Sequence, residues 1–256
     1  MSEQSPIPGI TSEEFKRVLR IEEIFMPEAR RQRLQARFGE DDTAEPIRLV
    51  HYTSAEAALK IIQTKRMWMR NTTCMADYKE VRHGLELTRA TFDDEARRQA
   101  FLSAMDKCHP GAMAEAAERL NELTNDMVLN SYVASFSEHD DKEDLHGRLS
   151  MWRAFGGPTR VAIVFRIPKY SKSTTVLSLL FSPISYLPDS GVASVMQEVA
   201  ENAEKNCDFL KSLPRSMFIQ TIFVMFHAAA VCLKHEGFRE EREWRAIYSP
   251  TIRPHP

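Results

Sequence analysis

The stretch "RLVHYTSAEAALKII" (residues 48–62) carries an apolar run up to a His-Tyr-Thr triplet and begins a helical pattern directly after it. Residues 46–51 read as a strand, and the helix behind them runs to about Lys65. A strand that hands over at once to a helix opens either a βαβ unit or a mixed α+β fold, so the sequence on either side decides the class.

Toward the C-terminus, "MWM" (67–69) reads as a short strand, and residues 77–130 are helical, rich in Ala, Glu and Arg, with a break at His109-Pro110-Gly111. Strands resume at "SYVASFS" (131–137), "RVAIVFRI" (160–167) and "TTVLSLLF" (174–181), each rich in β-branched or aromatic residues. Helices are predicted over 190–212 and 215–235, and "EWRAIYS" (243–249) reads as a closing strand. Strict strand–helix alternation is absent, which predicts an α+β protein with a mixed, largely antiparallel sheet.

Toward the N-terminus, Thr11 and Glu14 form a capping-box signature for a charged helix or helix pair reaching about Phe38 and broken at Pro27. "GEDDTAEP" (39–46) reads as a linker. The expected organisation is an N-terminal helical appendage over 1–45 and an α+β domain over 46–256, with a helical insertion at about 77–130.

The 256 residues are 43 % hydrophobic and 27 % charged, ordinary values for a soluble globular chain long enough to bury a sizeable core. A formal charge of −2 gives no general attraction to nucleic acid or anionic membrane, which leaves only local patches. The four cysteines include no C-x-x-C pair and read as free thiols of a reducing cytoplasm. "MSEQSPIPGITSEEF" has no secretory pattern, and the longest apolar run, "IFVMFHAAAVCL" (222–233), is too short and interrupted to span a bilayer. A cytoplasmic location without membrane association is expected.

Four constellations can carry chemistry. In the first, Thr53 with Glu56 makes a capping box that accounts for the hydroxyl, whereas His51 stands at a strand end, where ligand-binding residues often emerge. In "SYVASFSEHDD" (131–141), period-two alternation places Ser135 and Ser137 on one face with Val133, opposite Ala134, Phe136 and Glu138. In "LSMWRAFGGPTRVAIVF" (149–165), Trp152 reads equally as core, and Arg153 as a surface ion pair or a phosphate clamp. In "REEREWRAI" (239–247), a regular strand puts Glu241, Glu243 and Arg245 on one face, with the two carboxylates about 7 Å apart. Their repulsion calls for a cation or a ligand between them. Zinc spacing, a metalloprotease helix and a G-x-S-x-G elbow are all missing from the sequence.

In order, H-Y-T before a helix, Asn71 with Met75, Asp77 and Glu80, then S-F-S-E, W-R-x-F and E-x-E-W-R resemble a widespread bacterial family of unknown function across residues 47–248. Ala76 stands where that pattern has Asn. The family in turn resembles a remote branch of the ADP-ribosyltransferases, which implies an ADP-ribosyltransferase-like α+β fold with NAD as substrate. The resemblance makes His51, with Tyr52 and Thr53, the hold on the adenosine ribose and gives the nicotinamide side to Ser135 or Ser137. Arg153 falls to the pyrophosphate, Glu243 to the nicotinamide ribose and Glu241 to the acceptor. An oxocarbenium-like transition state beside Glu243 suits that chemistry, since the charge exists mainly there. The implied activity is a transferase or NAD glycohydrolase, a toxin or phage-defence component acting on a protein or nucleic-acid acceptor. Two rivals are a nucleotide-binding sensor without turnover on the same fold and a protein-interaction module built from the helices.

Overall fold

The computed structural model describes residues 11–36, 47–74, 78–155, 158–167 and 179–250. The fold is α+β: one six-stranded sheet, antiparallel at every pairing, lies against a helical layer, and a two-stranded parallel ribbon stands apart.

Helix α1 (Ser12–Phe25) starts at the Thr11 capping box, and Pro27 opens α2 (Pro27–Gln35) at the one position where its missing N–H costs nothing. Strand β1 (Ile47–Ser54) extends three residues past His51, so the H-Y-T triplet lies inside the strand rather than at its end. The cap of α3 (Ala55–Thr64) is therefore Ser54, whose hydroxyl accepts from the Ala57 amide at 3.2 Å. This corrects the expectation for Thr53, which pairs with Val161 in the sheet. Strand β2 (Arg70–Asn71) follows just after the predicted "MWM" strand.

The predicted insertion resolves into α4 (Tyr78–Thr91), α5 (Glu95–Cys108) and α6 (Ala112–Leu129), with an additional break before the Asp94 cap. Strand β3 (Tyr132–Glu138), α7 (Leu149–Ala154) and β4 (Arg160–Ile167) follow. Most of the strand predicted at 174–181 lies outside the described residues; strand β5 spans Leu180–Pro183 and β6 spans Ser185–Tyr186. The helix expected over 190–212 is two, α8 (Asp189–Lys205) and α9 (Cys207–Lys211), and α10 (Arg215–Cys232) leads directly into β7 (Leu233–Lys234). Strand β8 (Glu243–Tyr248) closes the described chain.

The strand order is β4-β1-β3-β8-β5, with β2 beside β3. Apolar side chains from α1, α5, α6, α8, α9 and α10 form the largest core cluster, to which the N-terminal helices contribute the buried Ile24 and Phe25. Helix α10 is apolar around most of its circumference and mostly buried, the pattern of a core helix. Helix α4 crosses it so closely that a Cβ added to Gly84 would sit 2.5 Å from the Ala230 carbonyl oxygen. Within this layer the Cys108 and Cys207 sulfurs, 99 positions apart, lie 3.1 Å from each other as free thiols.

Side-chain alternation divides the sheet into two faces. Leu49, Ala134, Phe136 and Trp244 pack on one, beneath Ala36, Met67 and Met69. Val133, Ser135, Ser137, Glu243, Arg245 and Ile247 belong to the other, where Val133 and Ile247 meet Val231 and Cys232 at the end of α10.

Candidate functional site

The acidic run "EHDDKED" (138–144) holds five carboxylates in seven residues, and such a run folds tightly only if cations reach it. Three arginines do. Arg48 pairs with Asp141 and Asp144, and Arg242 reaches Asp140 at 2.7 Å and Glu143 at 2.8 Å. The guanidinium of Arg242 holds the Asp140 carboxyl below the usual carboxylate range.

The third, Arg148, is buried. It forks onto Glu143 at 3.0 and 3.1 Å and donates to the Ser137 hydroxyl at 2.8 Å. It also donates to the carbonyls of Glu138, Glu240 and Glu241. One side chain thereby ties the end of β3 to the loop that precedes β8. The Arg148 amide donates to the Tyr52 phenol at 2.9 Å, and the Tyr52 ring meets Trp152 edge-on. Gly147, at φ +63°, makes the turn between them; any Cβ there would strike the Trp152 indole nitrogen at 2.6 Å. Sequence reasoning missed Arg148, although the unbalanced charge of residues 138–144 was the signal that a buried cation was needed.

Beside this network lies a second one. The Glu243 carboxylate, 7 % exposed, accepts from Arg245 at 2.7 and 3.1 Å and from Lys234 at 3.4 Å. Burial alone would raise its pKa, but Arg245 and Lys234 outweigh burial and hold the group below the ordinary value. Lys234 also reaches the Glu241 carboxylate at 2.7 Å. The repulsion expected within E-x-E is thus relieved by cations of the protein itself. Glu241 is not on the strand: it ends a 3₁₀ turn (Glu236–Glu241), and Arg242, at φ +42°, redirects the chain into β8.

Of the residues singled out from the sequence, Tyr52, Ser135, Ser137, Glu241 and Glu243 come together on or beside one sheet face. Ser137 donates to the Glu241 carbonyl, and Tyr52 joins through Arg148. His51 and Thr53 are on the opposite face, because Leu49 pairs with Glu138 while Val50 pairs with Ser137, and Ser137 pairs with Glu243. The expected single cleft for His51 and Glu243 is therefore split by the sheet. Arg153 is exposed on α7, with no hydrogen bond or ion pair among the described residues. Met75 and Asp77 lie outside the described residues.

His51 occupies a fork. Strand β1 pairs along its whole length with β4 but at only two positions with β3, and β2 takes the place beside Val133 and Tyr132 that β1 leaves. In that gap the His51 Nδ1–H donates to the Ser135 carbonyl at 2.9 Å, which leaves Nε2 as an acceptor. Desolvation lowers its pKa, and the nearby Arg70 charge adds to the effect, so the ring is neutral near pH 7.

A cleft of about 340 Å³ opens at the end of the sheet beside α2. Glu28, Gln32 and Gln35 of α2 form one wall; Glu138, Tyr186, Arg239, Arg242, Glu243 and Trp244 line the rest. The Trp244 indole is fully buried and donates to Glu138 at 2.9 Å, so it shapes the wall without being available to stack. Arg239 is exposed and bonds the Tyr186 carbonyl at 3.1 Å; among the described residues no carboxylate pairs with it. No group of three or more His, Cys, Asp or Glu side chains suited to a metal ion occurs among the described residues.

Fold and site together define an α+β protein in which buried ion pairs lock an acidic loop and the E-x-E-W-R strand around a polar cleft. Residues 151–246, from α7 through most of β8, match the family model described as "Protein of unknown function (DUF2971)", and the chain carries a DUF2971 domain there. The match contains Trp152, Arg153, Glu241, Glu243 and Arg245 but not His51, Ser135 or Arg148. No curated protein and no solved structure matches the chain.

Proposed function

We propose that this chain binds NAD, or a nucleotide closely related to it, in the cleft between α2 and the end of the sheet, and acts as a nucleotide sensor without turnover. The observation that carries the reading is the convergence, around one cleft of about 340 Å³, of Glu138 from S-F-S-E with Arg242, Glu243 and Trp244 from E-x-E-W-R. That volume suits a nucleotide-sized ligand. Arg239, without a carboxylate partner among the described residues, supplies a guanidinium at the lip for a phosphate. The ADP-ribosyltransferase-like type of fold and NAD itself come from the motif resemblance.

Binding is favoured over transfer by the state of Glu243. A carboxylate already neutralised by Arg245 and Lys234 has little field left with which to stabilise an oxocarbenium ion. One observation supports the transferase as second reading: the Glu241 side chain, 21 % exposed against 8 % for Glu243, is the more open of the two carboxylates. In that case the protein would modify a protein or nucleic-acid acceptor.

Calorimetric titration with NAD, together with chromatographic assay of nicotinamide, separates the readings. The expected result is NAD binding, weakened about tenfold or more by Arg239→Ala through loss of a charge-assisted hydrogen bond, with no nicotinamide released. Nicotinamide release that disappears in Glu241→Gln would establish turnover instead, with free ADP-ribose as co-product marking a glycohydrolase and ADP-ribose attached to an acceptor marking a transferase. Failure of NAD, ADP-ribose and ATP alike to bind would remove the nucleotide reading.

A further inference from the structure

We infer that residues 59–70 form a binding strip for single-stranded nucleic acid, separate from the polar cleft and independent of what that cleft holds. From Ala57 to Ala76 the chain has no acidic residue and four basic ones, Lys60, Lys65, Arg66 and Arg70. Burial alternates along 66–70: Met67 and Met69 turn inward onto the sheet, while Arg66, Trp68 and Arg70 are exposed. That is the pattern of an extended chain, and it spaces the outward side chains roughly 7 Å apart.

Trp68 is 69 % exposed, whereas Trp244 is fully buried. An indole left in water forgoes the large burial gain that normally takes Trp into a core, so its position calls for a partner. Lys60 lies 5.6 Å from the Trp68 ring centroid, and the exposed Leu59 and Ile62 continue the strip along α3. Among the described residues no carboxylate pairs with Lys65, Arg66 or Arg70; the only acidic partner in the strip is Glu56, on Lys60. The local field is therefore positive on a chain whose net charge is −2.

An aromatic face between unpaired cations complements a flexible polyanion that offers bases to stack. Arg66, Arg70 and Lys65 meet phosphates, and Trp68 stacks on a base, an interaction that tolerates any sequence. A duplex keeps its bases stacked internally and withholds the face that Trp68 needs.

The test is fluorescence anisotropy of labelled oligo(dT) and oligo(rU) with the full chain at about 50 and 200 mM salt, the range over which protein–phosphate pairing weakens strongly. Single strands are expected to bind at low salt. Trp68→Ala should weaken them roughly tenfold, in line with removal of one base stack. The paired substitution Arg66→Glu and Arg70→Glu should abolish binding or lower the salt slope by about 1.4, roughly 0.7 for each single-strand phosphate no longer neutralised. All three side chains are exposed, so unchanged circular dichroism and thermal melting will show that the variants fold. Absence of oligonucleotide binding by the wild type at low salt overturns the inference, as does binding indifferent to these substitutions. So does selective binding to phosphatidylglycerol-containing vesicles, which would make the strip a membrane-binding surface.

Discussion

Replacing Glu243 by Gln removes one negative charge from a site that holds two nearly inaccessible cations, Arg245 at 1 % exposure and Lys234 at 4 %. Gln keeps the length and one acceptor oxygen, so the volume is conserved and the Arg245 hydrogen bond at 2.7 Å can persist in neutral form. The charge balance changes most: Lys234 retains Glu241, whereas Arg245 loses the carboxylate paired with it and keeps the Val231 carbonyl at 2.6 Å. Breaking a buried pair by removing one partner costs about 3–5 kcal/mol, and the retained hydrogen bond puts Glu243→Gln near the lower end. At about 2–4 °C per kcal/mol for a chain of this size, the melting temperature should fall by roughly 6–12 °C. Urea denaturation followed by circular dichroism measures the loss directly. Adding Arg245→Met should recover part of it, because an apolar side chain suits the site once the carboxylate is gone. Acid should act in the same direction. A folded pKa held low means that the Glu243 contribution is present above the unfolded value of about 4.3 and is lost as pH falls through the lower folded value. If Glu243→Gln unfolds within about 0.5 kcal/mol of wild type, the reasoning fails, since that is the range of an ordinary surface change. The same argument makes Glu241→Gln the cleaner probe of chemistry, because it leaves the Glu243–Arg245 pair intact.

Three further outcomes are expected. His227, buried with its Nε2 3.0 Å from the Ser131 hydroxyl, has its pKa pushed down to about 3 by desolvation. Wild-type stability should therefore decline as pH falls from about 6.5 toward 3, and His227→Gln should flatten that slope in denaturant titrations; an unchanged slope would mean that the ring is hydrated. Gly84→Ala should cost about 3 kcal/mol or more, because the new methyl meets the Ala230 backbone oxygen at 2.5 Å, where no side chain can move aside; an unaltered melting temperature would contradict the tight crossing of α4 and α10. Ser54→Ala should lose about 1 kcal/mol of stability and Thr53→Ala clearly less, as measured by urea denaturation, and the reverse order would return the α3 cap to Thr53.

Local pattern was enough for much of this molecule. Apolar alternation marked β3, β4 and β8, Pro27 marked the helix break, and period two placed Ser135 and Ser137 together, opposite Phe136. These features depend on neighbours within a few residues, which the sequence displays directly. The end of β1 was harder, because Thr53 and Ser54 are equally good caps; pairing with Val161 and Arg160 of β4 carries the strand on to Ser54. Register between distant strands had no local signature at all. Leu49 opposite Glu138 puts His51 on the Phe136 face and away from Glu243, and a shift of one residue would have reversed that result. The cations that neutralise Glu243 arrive from β7 and β8, and Arg148 reaches the acidic loop from the start of α7. The sequence thus determined which segments are strands and helices and which side chains share a face of each. Tertiary structure alone decided which faces meet and which charges cancel, because both depend on long-range pairing and burial that no short stretch of chain encodes.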